Sequence, residues 1–196
     1  MKSPDAIGGT DAQQQEYAAK VRTWISGSGR AMRVLVGAAF LACILAANYV
    51  TTEYGMVPVG FGLVATAGTY LAGLTFVLRD AVQDTAGRRM VLVLIVAGAA
   101  LSYLVSDPFI ALASGVAFLV SETADLAVYT PLRRRGYVRA AVASNIVGAF
   151  VDTFLFLSIA GFSLTAWQGQ VVGKVAVTGV VVLGVVAYRT RRVMAR

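Results

Sequence analysis

Apolar residues gather into six long runs, at roughly 33–50, 58–78, 90–106, 109–131, 138–160 and 168–188, separated by short polar connections. A bilayer core of about 30 Å takes about 20 helical residues, so each run is long enough to cross it. None of the runs alternates with the two-residue period of a half-buried strand. The pattern therefore excludes strands, and a chain this short could not close a barrel with these runs. Connections at 53–57, 85–89, 106–108 and 133–137 are short, which sets neighbouring spans antiparallel. The pattern predicts an all-α, polytopic membrane protein: six transmembrane helices in one bundle.

Charge orients that bundle. All but one of the 17 Lys and Arg residues lie at or beyond the ends of the runs, and they alternate with the connections. Lys2, Lys20, Arg22, Arg30 and Arg33 belong to the N-terminal segment, and Arg79, Arg88 and Arg89 to the second connection. Arg133, Arg134, Arg135 and Arg139 mark the fourth connection, and Arg189, Arg191, Arg192 and Arg196 the C-terminal end. The intervening connections hold none. Cytoplasmic loops accumulate Lys and Arg, so both termini are expected inside. The expected organisation is a cytoplasmic tail over 1–30, a six-helix membrane domain over 31–190 and a basic tail over 191–196. Residues 1–30 lack the apolar core of a signal peptide. Tyr17, Val21, Trp24 and Ile25 recur at helical spacing, which suits a short interfacial helix over 11–25, with a disordered tail as the alternative. Ser26-Gly27-Ser28-Gly29 reads as a flexible joint.

Composition narrows the function classes. The chain has 196 residues, 58% hydrophobic and 14% charged, against roughly 25% charged in soluble domains. The net charge of +7 is a topology signal here rather than a nucleic-acid footprint. The single cysteine, Cys43, excludes an internal disulfide and a multi-cysteine metal site. Histidine is absent, and no nucleophile–base set, phosphate loop or metal cluster stands out. An enzyme is not indicated, and no cofactor or metal is expected.

Polar residues within the runs carry the functional signal. Span two aligns Thr69, Gly73, Asp80 and Asp84 on one face, with Arg79 and Gln83 four apart; Arg79 and Asp84 read equally well as an interfacial cap. Span four carries Glu122 and Asp125, span five Ser144, Asn145, Gly148 and Asp152, and span six Gln170, Lys174 and Thr178. Span one ends in Asn48, Thr51 and Thr52. An ionised side chain at the membrane centre costs at least about 2.5–3.5 kcal/mol. Glu122, Asp152 and Lys174 must therefore pair or line a wet cavity. At 1.5 Å per residue Lys174 lies about 9 Å below the outer end of span six and Asp152 about 12 Å below that of span five, so the two are expected to pair. A buried ion pair that only fixes packing is the plainer alternative, but several helices presenting polar stripes fit a solute site better. Small residues four apart (Ala38, Ala42 and Ala46; Gly68 and Ala72; Gly98 and Ser102) read as internal helix packing.

Several of these residues resemble the VUT family of queuosine precursor transporters. They are Asn48-Tyr49, the stretch Thr75-Phe76-Val77-Leu78-Arg79-Asp80 with Gly87 following, Glu122-Thr123-Ala124-Asp125-Leu126, Ser144 with Gly148 and Asp152-Thr153, and Lys174. The resemblance covers roughly 33–190. It implies a six-helix carrier in the bacterial plasma membrane that imports 7-cyano-7-deazaguanine or a related 7-deazaguanine. The chain departs from the family in having an acid at Glu122, where an amide is common, and Gly184 where a proline is. A 7-deazaguanine presents adjacent N–H donors on one edge, which a carboxylate accepts in bidentate fashion; Asp152, Glu122 or Asp125 could do this. Asn48 or Asn145 could meet the lactam, and Lys174 a lactam oxygen or nitrile. Tyr49, Tyr70, Tyr103 and Phe154 are candidate stacking faces. The expected substrate-binding set is Asn48, Asp80, Glu122, Asp125, Asn145, Asp152 and Lys174. The expected partners are the lipid bilayer and the small solute, with no nucleic acid; a homo-oligomer is compatible. Two alternatives remain. One is the substrate-binding subunit of an energy-coupling-factor vitamin importer, docking through Ala38, Ala42 and Ala46. The other is a structural or regulatory membrane protein without a solute.

Overall fold

A computed structural model describes residues 11–132, 134 and 137–194 of the chain, with the backbone alone over 11–28, 126, 130, 137–142, 182 and 185–194. Lys2, Arg133, Arg135 and Arg196, all assigned to the cytoplasmic side by sequence, lie outside the described residues. Six α-helices dominate what is described, as expected of an all-α membrane protein: α1 (Asp11–Tyr54), α2 (Thr69–Ala86), α3 (Arg88–Val105), α4 (Pro108–Leu132), α5 (Tyr137–Ile159) and α6 (Trp167–Met194). Among the described residues three helical segments are long and apolar enough to cross a membrane: Gly29–Tyr54, Arg88–Val105 and Pro108–Tyr129. Ala143–Ile159 is a shorter apolar segment. Helix α1 runs unbroken for 44 residues, about 66 Å at 1.5 Å per residue. Residues 26–29 are therefore helical rather than a flexible joint: the glycines lower helix propensity without breaking a helix that is anchored on one side by a packed span.

The exclusion of strands does not hold. Between α1 and α2 the chain forms an antiparallel hairpin, β1 (Met56–Gly60) and β2 (Leu63–Thr66), pairing Met56 with Thr66 and Val57 with Ala65. Its turn is Gly60-Phe61-Gly62, all three at positive φ, a conformation that glycine adopts without steric cost. The valines here alternate with proline and glycine, a strand pattern hidden inside an apolar run. The consequence reaches beyond the hairpin. The second helix starts at Thr69 instead of near residue 58, so Arg79 and Asp80 sit in its body and not beyond its end.

Other boundaries follow local chemistry. Asp107 caps α4, its Oδ1 accepting from the backbone N–H groups of Phe109 (2.8 Å) and Ile110 (3.1 Å), with Pro108 at the first helical position. Gly87, at φ 84°, separates α2 from α3. The 106–108 turn is tied to α1 through Asp107 N–H donating to Thr52 Oγ1 at 2.9 Å.

The core centres on Phe40, Ile44, Val82, Val91, Ile95 and Phe118. Phe118 stacks on Phe76 at 5.5 Å and meets Phe40 edge-on at 6.0 Å. Small residues set the closest approaches. Gly98 lies against Ile44, Gly68 against the Ala47 backbone, and Gly169 against the Val64 carbonyl. Ser102 is fully buried. The Ala38, Ala42 and Ala46 stripe is a correction: Ala38 and Ala42 are exposed and Ala46 is half-buried, because α1 turns Phe40, Cys43, Ile44 and Ala47 inward instead.

A side chain at Gly169 would collide with the hairpin, whereas one at Gly184 meets nothing within 4 Å. Gly169→Ala should lower stability by about 1–3 kcal/mol, the usual range for overpacking. Gly184→Ala should leave it unchanged or slightly raised. Thermal unfolding of both detergent-solubilised variants checks the contrast.

Candidate functional site

Helix α6 brings Gln170, Lys174 and Thr178 onto one face, since residues four apart are neighbours on a helix. Lys174 and Asp152 are both buried, 2% and 7% exposed. Lys174 Nζ donates to Asp152 Oδ2 at 2.7 Å and to Thr153 Oγ1 at 3.0 Å. The pair expected from depth along the two antiparallel helices is thus formed. Gly73 on α2 makes it possible to enclose the lysine: a Cβ there would fall 2.9 Å from Lys174 Cα and its carbonyl oxygen. Thr178 Oγ1 donates to the Lys174 carbonyl at 2.9 Å, with the Gly73 carbonyl at 3.3 Å.

A second ion pair joins α2 to α4. Arg79 donates through Nη1 to Glu122 Oε2 at 2.6 Å, and through Nε and Nη2 to Asp80 Oδ1 at 2.9 and 2.6 Å. Its guanidinium also lies over the Phe76 ring at 5.9 Å. Arg79 and Glu122 are buried, while the Asp80 side chain is 55% exposed. Asp80, counted in the substrate-binding set from sequence, is thus the more exposed of the two, and Arg79, which read equally well as an interfacial cap, is the buried one. The helix register set by the hairpin turns the arginine inward.

Two cavities, mostly apolar but with polar groups in their walls, flank the Asp152–Lys174 pair. The smaller, about 40 Å³, is lined by Asn48, Thr51, Thr66, Asp152, Gln170 and Lys174 among others. Its walls are cross-linked by side chains. Asn48 Nδ2 donates to Ser102 Oγ and Gln170 Nε2 to Thr66 Oγ1, both at 2.9 Å. Thr66 and Thr69 hydroxyls are 3.1 Å apart, and Gly68 N–H donates to Thr51 Oγ1 at 3.1 Å. Such a space holds a few waters at most. The larger cavity, about 400 Å³, has Arg79, Asp80, Asp125, Asn145, Lys174 and Thr178 in a wall that is otherwise largely apolar, with Phe76, Ile146, Gly148 and Val175 among others. Its volume falls in the range of small-molecule sites, about 300–1,000 Å³. Lys174 lines both.

The seven residues singled out from sequence therefore divide. Asn48 belongs to the small cavity, Asp80, Asp125 and Asn145 to the large one, and Asp152 and Lys174 stand between them. Glu122 lines neither, because it is held against Arg79. Ser144, Gly148 and Asp152 are buried together on α5. Tyr49, Tyr70, Tyr103 and Phe154 are exposed and line neither of these two cavities; the rings that do are Phe76 on one side and Phe118 and Phe156 on the other. The polar residues missed were Thr66, Ser114 and Ser121; Ser102 was read only as a packing residue, and Arg79 was undervalued. The valine alternation before Thr66 was the signal that would have shifted span two and placed Arg79 within the protein.

Removing one partner of a buried ion pair leaves an uncompensated charge, which costs about 3–5 kcal/mol. Lys174→Met should lower stability by that order. Adding Asp152→Asn to it should recover most of the loss, as read by thermal unfolding in detergent.

Residues 103–190 match the family model described as "Putative vitamin uptake transporter". No curated protein and no solved structure matches the chain. The matched segment contains α4, α5 and most of α6, hence Glu122, Asp125, Asn145 and the Asp152–Lys174 pair. Over this segment, and with apolar helices around these groups, the chain is similar to that transporter family.

Proposed function

We propose that this protein is a carrier that imports a 7-deazaguanine base, such as 7-cyano-7-deazaguanine, across the bacterial plasma membrane. In this reading its six helices span the bilayer with both termini in the cytoplasm. The hairpin end faces outward and the larger cavity opens inward. The observation that carries it is the Asp152–Lys174 pair, buried between two cavities inside apolar helices. A packing role needs the pair alone; it does not need a cavity of about 400 Å³ beside it.

Arg79 and Lys174 already occupy Glu122 and Asp152. Asp125 is then the carboxylate best suited to take the paired N–H donors of the base, a bidentate and charge-assisted contact. Asn145 is placed to meet the lactam, and Phe76 offers a ring face for stacking. Lys174 is the group a solute meets on passing between the cavities. A transport role accounts for these groups without any catalytic step.

The exposed Ala38 and Ala42 on α1 favour one second reading, a substrate-binding subunit that docks an energy-coupling module through that stripe. Co-purification with an ATPase module, lost in Ala42→Trp, would decide for it.

Uptake of labelled 7-deazaguanine bases by cells unable to make them tests the main reading. Expression of the protein should confer uptake. Gly148→Leu, which fills the larger cavity beside Asp125, should reduce it at least about tenfold while the protein still inserts. Normal uptake by that variant would remove the proposed site. The orientation is tested separately by a membrane-impermeant maleimide on intact cells. A cysteine at Leu164 should label, and one at Gln83 should label only after permeabilisation.

A further inference from the structure

Helices α1 and α3 pack side by side and run in the same direction. A Cβ at Gly37 would fall 3.5 Å from Leu94 Cδ1, Gly98 lies against Ile44 and Leu41, and Asn48 bonds Ser102 at 2.9 Å. These contacts climb both helices in step, which fixes the register of the seam. On α1 its face is Gly37, Leu41, Ile44 and Asn48. The same steps of three and four carried back reach Arg33 and Arg30. On α3 its face is Val91, Ile95, Gly98 and Ser102, and carried back it reaches Arg88, with Arg89 adjacent. Arg33 and Arg30 lie about 6 and 10 Å below Gly37, and Arg89 and Arg88 about 8 and 9 Å below Leu94, at 1.5 Å per residue. Four arginines thus gather at one level, at the end of one helix seam.

All four are exposed, and none is hydrogen-bonded or ion-paired among the described residues. The nearby acids are turned elsewhere. On α2, Val82 and Ala86 pack on the core beside Phe40 and Val91. Asp80 and Asp84 each precede one of them by two residues, about 200° around the helix. Glu122 and Asp152 are held by Arg79 and Lys174, and Asp125 lines the larger cavity. Glu16 lies about 20 Å further along α1 from Arg30. Like charges gathered at one level repel, and an anion between them would relieve that repulsion.

The surface beside the arginines is apolar: Val34 and Leu35 on α1 and Met90 and Val93 on α3 are exposed. A soluble phosphate would use the charge alone. A phospholipid would use both, its phosphate taking the paired N–H donors of arginine and its chains covering the apolar side chains. We propose that this end of the α1–α3 seam binds the headgroup of an anionic phospholipid, with Arg33 and Arg88 at the centre and Arg30 and Arg89 at the sides. Basic clusters at the cytoplasmic ends of membrane helices attract such headgroups, and each cation adds to the attraction. None of the four lines either cavity of the candidate site. The inference rests on the reading that these helices span the bilayer, and not on the identity of any solute.

Native mass spectrometry of the purified full-length protein tests it, by titration in detergent with phosphatidylglycerol, phosphatidylcholine of the same acyl chains and inorganic phosphate. The wild type should bind phosphatidylglycerol about tenfold or more tightly than phosphatidylcholine. Arg33→Gln/Arg88→Gln should abolish that preference, and Arg33→Lys/Arg88→Lys should keep most of it. Arg133→Gln/Arg134→Gln, which removes the same charge elsewhere, should leave it unchanged. Equal binding of the two lipids by the wild type overturns the proposal. An equal loss in both glutamine pairs overturns the localised site, because net charge alone then explains the preference. Inorganic phosphate bound as tightly as phosphatidylglycerol overturns the lipid as the source of the anion. Each outcome is read without solute, so it stands apart from the uptake experiment. Labelling of a cysteine at Gln83 in intact cells would overturn the cytoplasmic placement and leave the lipid contact standing.

Discussion

A charged group among apolar helices must be matched, because lipid and packed hydrocarbon offer it no solvation. Lys174 and Arg79 obey that constraint in different ways, and much of the architecture follows. Lys174 is matched by one carboxylate and a hydroxyl, both from α5. Arg79 is matched by Glu122 from α4 and by its own neighbour Asp80. The two clusters connect α2, α4, α5 and α6 through groups that cannot be rearranged singly without exposing a charge. Gly73 completes the first cluster: with no side chain, it lets α2 lie directly on the backbone of Lys174.

The same constraint shapes the empty space. On the hairpin side of the Asp152–Lys174 pair, neutral side chains bond one another and leave a cavity of about 40 Å³. On the other side, acids outnumber the cations available to them and the cavity is about ten times as large, near 400 Å³. Polar groups that satisfy each other can close together. Lys174 is common to both cavities.

The hairpin at Met56–Thr66 has two effects. Its turn glycines and Gly169 allow it to seat against the start of α6. It also takes up chain that would otherwise begin the second helix, which advances that helix and carries Arg79 into the protein. A basic residue that reads as a loop marker becomes one member of a buried pair.

The sequence by itself determined what depends on local composition and periodicity. The apolar runs specify a membrane protein of mostly helical structure, Asp107-Pro108 marks a helix start, and Gly87 a break. Counting residues from the ends of consecutive antiparallel runs also located the Asp152–Lys174 pair, because helical rise converts sequence distance directly into depth. Tertiary structure decided the rest. A hairpin with a Gly-Phe-Gly turn has nearly the same composition as a span, and only its pairing and its seat against α6 distinguish it. Glu122 could have paired with Lys174 or faced a solute; contact with Arg79 across α2 and α4 chose its role. The Ala38 and Ala42 stripe had the spacing of a packing face, but the larger apolar residues of α1 claimed the interior. Which carboxylate was left without a partner was likewise not local information. It depended on the rotation of four helices about their axes, and it singled out Asp125.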